Sequence, residues 1–196
     1  MNLDLGVKQI WEKLERGGFE VAVVGGAARD ILAGNEVSDW DLTTSAKPDE
    51  ILKIFSRGFY NNRFGTVGVK IDDGKIVEVT TYRKEVGYSD RRHPDKVIWG
   101  KTLEGDLARR DFTINAMALR YAGGKPSEIS SPEFQISNFL LVDPYYGQKD
   151  FKDKIIRAVG DPNKRFSEDA LRILRAIRFA TTLGFEIDSK TSGCSV

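Results

Sequence analysis

Cysteine and histidine are almost absent: Cys194 and His93 are each the single residue of their kind among 196. One thiol cannot close an internal disulfide, and one thiol with one imidazole leaves too few ligands for a cysteine cluster or a histidine-based zinc site. A reducing, cytosolic setting fits that usage. No run approaches the ~20 consecutive apolar residues of a membrane span. The N-terminus, with Asp4 and an amphipathic pattern, lacks the apolar centre of a signal peptide. A soluble, cytoplasmic protein without a membrane partner is therefore expected. Neither sign of charge is in excess, since 30 Lys and Arg face 29 Asp and Glu. Any contact with nucleic acid must then come from a local basic patch. Both Gly-x-Gly-x-x-Gly and the Walker pattern are missing, which argues against a Rossmann dehydrogenase or a P-loop protein. With 40% hydrophobic and 30% charged residues, disorder and collagen are excluded. The length suits one full domain with an appendage.

What is present is an interleaving of helices and strands without an internal repeat. Val7, Ile10, Trp11 and Leu14 recur at helical spacing before Gly17-Gly18, and Val21 to Val24 reads as a buried strand. After Gly25-Gly26, a short helix is predicted from Ala27 to Ala33, a second strand from Asp39 to Thr43, and a helix after Pro48 carrying Ile51, Ile54 and Phe55. Val67 to Ile71 and Ile76 to Tyr82 flank Asp72-Asp73-Gly74-Lys75, a hairpin signal. Residues 84–105, broken by Gly87, Pro94 and Gly100, are expected to form a long mobile loop. Helix is predicted again over residues 106–119, followed by a surface insertion over residues 122–137 and short strands at Phe139 to Val142 and Ile155 to Val159. A strong helix is predicted over residues 167–183, with Ala170, Ile173, Leu174, Ile177 and Ala180 on its apolar side. Residues 191–196 show no pattern and read as a disordered tail or a cloning remnant.

Four segments hold residues able to do chemistry. In Asp39-Trp40-Asp41, strand alternation puts both carboxylates on one face and Trp40 and Leu42 on the other. Two adjacent like charges call for a cation, and hard oxygen ligands suit Mg2+; solvated acids at a strand end are the plainer alternative. Glu78, with Val77 and Val79 turned the other way, reaches the same pair if its strand is a neighbour, or is simply solvated. Gly25-Gly26 stand between a buried strand and a helix start, where bare amides can hold a phosphate. Arg29, one turn on, can add charge toward a triphosphate; a tight turn with a surface arginine explains the same residues. In Arg109-Arg110-Asp111-Phe112-Thr113-Ile114-Asn115, Arg110 suits a phosphate or base acceptor, while Asp111 or Asn115 can bond a ribose hydroxyl. Leu107, Ile114, Met117 and Leu119 would hold that helix to the core, and intrahelical ion pairs are the alternative. Glu168-Asp169, Arg172, Arg175 and Arg178 are expected as one charged ridge, which a solvated face with a Glu168–Arg172 pair also explains. Cytosine and adenine each show an amino donor beside a ring-nitrogen acceptor. A fixed carboxylate with a fixed guanidinium, Asp169 with Arg172, can thus accept C and A and reject G and U without a template.

In order along the chain, Gly25-Gly26-x-x-Arg29-Asp30, Asp39-x-Asp41, Glu78-Val79-Thr80-Thr81-Tyr82-Arg83, the segment from Arg109 to Ala116, and Glu168-Asp169-x-x-Arg172 resemble the class II tRNA nucleotidyltransferases. That family comprises the CCA-adding enzymes and the bacterial poly(A) polymerases, and the resemblance runs from about Val21 to Phe185. It implies an α/β (α+β) fold: a DNA polymerase β-like nucleotidyltransferase head over residues 1–145, with a mixed β-sheet flanked by helices. The start of a helical neck would occupy residues 146–190, its base-reading helix over residues 167–183. The resemblance places the Gly25-Gly26 segment and Arg29 at the nucleotide phosphates and two Mg2+ on Asp39 and Asp41; Glu78, from its place on a neighbouring strand, is the candidate third carboxylate. It places Arg110, Asp111 and Asn115 at the nucleotide and ribose, and Asp169, Arg172, Arg175 and Arg178 at the base. The implied partners are CTP, ATP and the tRNA 3′ end, and the implied reaction is attack of the 3′-hydroxyl on the α-phosphorus with release of pyrophosphate. The segment from Tyr88 to Pro94 resembles the flexible loop of CCA-adding enzymes, with Arg91, Arg92 and Lys96 as its basic contacts. A poly(A) polymerase and a non-catalytic CTP- and ATP-binding module are the alternatives. Family members extend into helical body and tail domains that hold tRNA; weak tRNA binding is expected of this shorter chain unless a homo-oligomer or a separate chain supplies the surface.

Overall fold

The computed structural model describes residues 3–62, 64–71, 74–122 and 138–194. Helix α1 (Leu5–Arg16) starts where the Asp4 carboxylate accepts the Gly6 amide at 2.8 Å, and it buries Val7, Ile10, Trp11 and Leu14. Strand β1 (Val21–Val24) is buried along its whole length, as a strand covered on both faces must be. α2 (Gly25–Leu32) follows without a linker, so this helix begins at the two glycines and not at Ala27. β2 (Asp41–Thr44) starts later than expected, leaving Asp39 on the bend that precedes it. α3 (Pro48–Ile54) opens on its proline. β3 (Gly58–Asn62), which carries no clear strand signal, leads into the expected hairpin of β4 (Thr66–Lys70) and β5 (Ile76–Thr81). Asp72 and Asp73 lie outside the described residues.

Residues 84–105 are not a loop. β6 (Arg83–Val86) and β7 (Lys96–Trp99) pair antiparallel, and α4 (Leu103–Leu107) follows. The polar composition that reads as loop builds the connection instead. The Ser89 amide and hydroxyl both donate to Asp95, and the amides of Arg92 and His93 donate to Asp90. Nor do residues 106–119 form one helix. The chain makes a 3-10 turn at Thr113–Asn115 and enters β8 (Ala118–Tyr121). Leu107, Ile114 and Leu119 enter three different apolar clusters. The Thr113 amide donates to the Arg157 carbonyl and the Val159 amide to the Asp111 carbonyl, which holds the segment away from helix.

β9 (Phe139–Val142) pairs with β8, and residues 123–137 of the expected insertion lie outside the described residues. α5 (Gly147–Lys152), β10 (Ile155–Ile156), α6 (Pro162–Glu168), α7 (Leu171–Leu183), β11 (Glu186–Ile187) and α8 (Ser189–Ser192) complete the order. The strand expected from Ile155 to Val159 shortens to β10, with Ala158 bridged to Phe112. The helix expected over residues 167–183 is broken at Asp169, whose carboxylate accepts the Leu171 amide at 2.9 Å and so starts α7. The buried face of α7 also differs: Arg172 and Ala176 are buried, whereas Leu174 is 62% and Ile177 53% exposed. Arg172 can be buried because Glu168 and a backbone carbonyl satisfy it. Thr191, expected in a patternless tail, is buried in α8 and accepts the Ala158 amide at 3.1 Å.

Seven strands form one mixed sheet in the order β3-β4-β5-β2-β1-β8-β9; β2 and β5 run parallel, and the other neighbours antiparallel. α1, α2 and α3 cover one face, where Trp11, Ala28 and Ile51 pack with Val23, Leu42 and Val79. On the other face α4 brings Leu103 and Leu107 onto Ala22, Val24 and Tyr82. A further core of Phe112, Ile114, Ile156, Phe166 and Ala176 joins the 3-10 turn to the C-terminal helices. Among the described residues no helix is long and apolar enough to cross a membrane.

Candidate active site

Alternation along β2 sends Leu42 into the core and leaves Asp41 and Thr43 toward the opposite face. β5 lies beside β2 with Asp41 opposite Glu78, while Val77 and Val79 are buried on the far side. Glu78 thus stands on the neighbouring strand that the sequence reading required. Asp39 is exposed, with a carboxylate oxygen 3.2 Å from Ser38 Oγ. Burial pushes the Asp41 carboxyl above the ordinary carboxylate range; Arg110 pulls against that, and the charges of Glu78 and Asp39 add to it. A divalent cation would relieve this crowding, and the donors are hard oxygens, so Asp39 and Asp41 fit such an ion. Among the described residues no three His, Cys, Asp or Glu side chains close into a metal-sized group. Glu78 adds its charge to the Asp41 carboxyl.

The turn from β1 into α2 meets the same point. Gly25 has φ +66°, a conformation that favours glycine. A Cβ added there would lie 3.1 Å from Asp41 Oδ2 and 3.2 Å from Arg110 Nη1, so turn, carboxylate and guanidinium converge. Gly26 follows, its open side facing Arg29 Nη2 at 3.5 Å. Arg29 is not a surface arginine: it is buried, pairs with Asp30, and donates to Asn115 Oδ1 at 2.9 Å. Arg29 and Asn115, read separately in sequence for a phosphate and a ribose hydroxyl, hydrogen-bond to each other, because the 3-10 turn packs against α2.

Beside this point lies a cavity of about 360 Å³, with Arg92, Arg110, Asp111, Asp169, Arg172 and Arg175 in its lining. Arg175 Nε donates to Asp111 Oδ2 at 2.7 Å, and the other Asp111 oxygen accepts the Phe112 amide at 2.8 Å. Arg172 donates to Glu168 Oε2 at 2.8 Å and to the Arg165 carbonyl at 3.1 Å. The Glu168–Arg172 pair and a position in the cavity wall therefore coexist. Arg91 is outside the lining, but its carbonyl accepts the Ala170 amide at 3.0 Å and ties the β6–β7 turn to the start of α7. Arg178 is also outside it, exposed and 5.1 Å from the Phe179 ring centroid. Lys96, expected among the loop contacts, is exposed at the start of β7 and lines an adjoining cavity.

Several lining residues were not singled out in sequence, among them Phe64 and Glu85, whereas Tyr88 and His93 fall in the segment that resembles the flexible loop. Arg83 and Arg109 both pair with Glu85 Oε1, at 2.7 Å and 3.2 Å, and the Tyr88 hydroxyl donates to Glu85 Oε2 at 2.6 Å. Burial works against ionisation of Glu85, yet Arg109 and Arg83 hold its carboxyl below the ordinary range. The signal was the alternation of Arg83 and Glu85, partly buried, with Lys84 and Val86, exposed. It is strand-like, but in sequence it is lost within a polar stretch.

The sequence matches the family described as the Poly A polymerase head domain over residues 21–157. It is 44% identical over 183 residues to the CCA-adding enzyme of Lactobacillus helveticus, covering 93% of this chain and 42% of that protein. Against the CCA-adding enzyme of a Geobacillus species it is likewise 44% identical over 183 residues, covering 93% and 41%. The crystal structure of the Bacillus stearothermophilus CCA-adding enzyme in complex with CTP aligns with a TM-score of 0.78 and 35% identity, covering 95% of this chain and 41% of that one. A tRNA nucleotidyltransferase complexed with a primer tRNA and an incoming ATP analog aligns at 0.68 and 34% identity, covering 95% and 47%. The chain spans about two-fifths of the length of the curated relatives it matches. Matched over residues 21–157, from the first strand of its sheet to the residue before the Ala158 bridge, the chain belongs to the Poly A polymerase head-domain family, the family of the tRNA nucleotidyltransferases and bacterial poly(A) polymerases.

Proposed function

We propose that this chain carries the nucleotidyltransferase head of a CCA-adding enzyme, one that adds C, C and A to the tRNA 3′ end from CTP and ATP without a nucleic-acid template. The observation that carries the reading is the convergence of the Gly25 turn, Asp41 and Arg110 at the edge of a cavity lined by Asp111, Asp169 and Arg172. The relatives named as CCA-adding enzymes support the same choice over a poly(A) polymerase. Asp39 and Asp41 would hold Mg2+, which when bound stabilises charge on the attacking and leaving oxygens. Gly25 and Gly26 let a triphosphate approach the start of α2, and Arg110 faces it with a positive charge. Asp111, braced by Arg175, stands for the ribose, and Asp169 with Arg172 for the base. The tRNA 3′-hydroxyl oxygen attacks the α-phosphorus in line. Its bond to phosphorus forms as the bond to the bridging oxygen of the β-phosphate breaks; pyrophosphate leaves and the hydroxyl proton passes to water. The β6–β7 turn, with Arg91 and Arg92, would act on the switch from C to A through its tie to α7.

The test is extension of a tRNA ending at its discriminator base with CTP, ATP and both, resolved to single nucleotides. Growth by C, C and A with both nucleotides is expected. A long ladder with ATP alone would mean a poly(A) polymerase, and no extension alongside measured CTP and ATP binding would reduce the head to a binding module.

A further inference from the structure

Asp106 is fully buried in α4, outside every nucleotide contact considered above, yet four donors converge on it. Its Oδ1 accepts Arg109 Nε at 2.8 Å and the Arg83 amide at 3.4 Å, and its Oδ2 accepts Thr43 Oγ1 at 3.3 Å and Arg110 Nη2 at 3.4 Å. Thr43 lies two residues beyond Asp41 on β2, and its hydroxyl also reaches the Thr80 carbonyl of β5 at 3.1 Å. One carboxylate thus links the strand of the candidate metal ligand, the neighbouring strand, the start of the β6–β7 hairpin and the arginine facing the phosphates. Arg110 has few other anchors. Its Nη1 stands at the Gly25–Asp41 point, 3.5 Å from the Asn115 carbonyl, and its buried Nε has no partner among the described residues.

We infer that Asp106 is a positioning residue that holds Arg110 at the Gly25 turn and off the Asp41 carboxylate, an inference that rests on the nucleotidyltransferase reading above. Without the Asp106 charge, Arg83 and Arg109 are left to Glu85, and Arg110 to Asp41 and to Asp111, which Arg175 already holds. Coulomb attraction in a poorly solvated site then draws Arg110 onto Asp41, where it competes with a divalent cation. Burial opposes ionisation of Asp106, but Arg109 and Arg110 outweigh it and keep the carboxyl below its ordinary range, so the charge is present at neutral pH.

The test is calorimetric CTP binding by the whole 196-residue chain over a Mg2+ series, comparing wild type with Asp106→Asn. The Mg2+ concentration for half-maximal binding is expected to rise at least about tenfold, the equivalent of losing one hydrogen bond to a charged group. A merely loosened fold lowers the unfolding midpoint and the amount of CTP bound but leaves that concentration in place. Superimposable Mg2+ curves overturn the inference. If Asp106→Asn does not fold, Thr43→Val decides: it keeps every charge, removes one bond to Asp106, and is expected to shift the curve in the same direction by about threefold. An unshifted Thr43→Val curve overturns the positioning role while leaving the nucleotidyltransferase reading intact. A wild-type chain that takes up no CTP at any Mg2+ concentration overturns both.

Discussion

A carboxyl buried beside other acids holds its proton longer than one in water, and Asp41 is in that position. Its folded value is raised, so ionising it costs stability as pH rises through that value. Asp41→Asn is therefore expected to melt no lower than wild type at pH 7 while losing nucleotide incorporation by about a thousandfold or more. Thermal melts with single-turnover incorporation check both halves, and Asp39→Ala is expected to lose incorporation likewise. Asp169 separates two roles, because the residue lines the cavity and its carboxylate caps α7. Asp169→Ala should lose about 1 kcal/mol of stability as well as the preference for C and A. Asp169→Asn keeps a capping oxygen and should change only the preference. Competition between CTP and UTP at one nucleotide of extension measures it, and unchanged discrimination in both variants would remove Asp169 from base reading. Both aspartates were legible in sequence as carboxylates in a telling spacing. The engagement of Arg29 with Asn115 was not, since those residues are 86 positions apart and meet only through the packing of α2 on the 3-10 turn.

At the scale of elements, the β6–β7 hairpin gives the cavity its charged wall. Glu85 binds two guanidinia there with its carboxyl held below the ordinary range. A depressed carboxyl contributes stability that is present above its unfolded value, roughly pH 4.3, and is lost as pH falls through the lower folded value. Glu85→Gln is expected to cost about 3 kcal/mol at neutral pH, since it breaks a largely buried pair. It should also flatten the acid limb of stability below about pH 5. Denaturant titrations across that range check it; parallel acid limbs would show that Glu85 does not couple the hairpin to Arg109. α5 supplies a second case. A Cβ at Gly147 would fall 2.1 Å from the Thr113 carbonyl oxygen and 2.8 Å from Met117 Cγ. Gly147→Ala should push the 3-10 turn off α5 and cost at least about 2 kcal/mol, read as a lower unfolding midpoint. Apolar spacing correctly marked α1 and most strands. It failed over residues 106–119 because helical spacing there reflects burial in three separate clusters.

At the scale of the whole molecule, the sheet and the C-terminal helices share residues rather than merely touch. Phe112 and Ile114 leave the head segment to sit with Ile156, Phe166 and Ala176. The cavity between hairpin, head segment and α7 is assembled from this one chain, which spans about two-fifths of its curated relatives. The expected outcome is Mg2+-dependent CTP binding by these 196 residues, measurable by calorimetry; no CTP uptake at any Mg2+ concentration would show that the cavity does not take a nucleotide.

Sequence by itself determined the covalent order of chemistry: glycine pair, carboxylate pair, arginine-rich segment and Glu-Asp-x-x-Arg segment, the first of them directly after an apolar run that set its strand. Such local signals survive in sequence because backbone geometry and side-chain alternation depend on near neighbours. Tertiary structure alone decided that Asp41 faces Glu78, that Arg110 is shared between Asp106 and the Gly25 turn, and that Arg172 is buried instead of solvated. Those outcomes rest on charges tens of residues apart entering a poorly solvated interior, where each must find a counter-charge or a hydrogen bond, and no local pattern records which partner it finds.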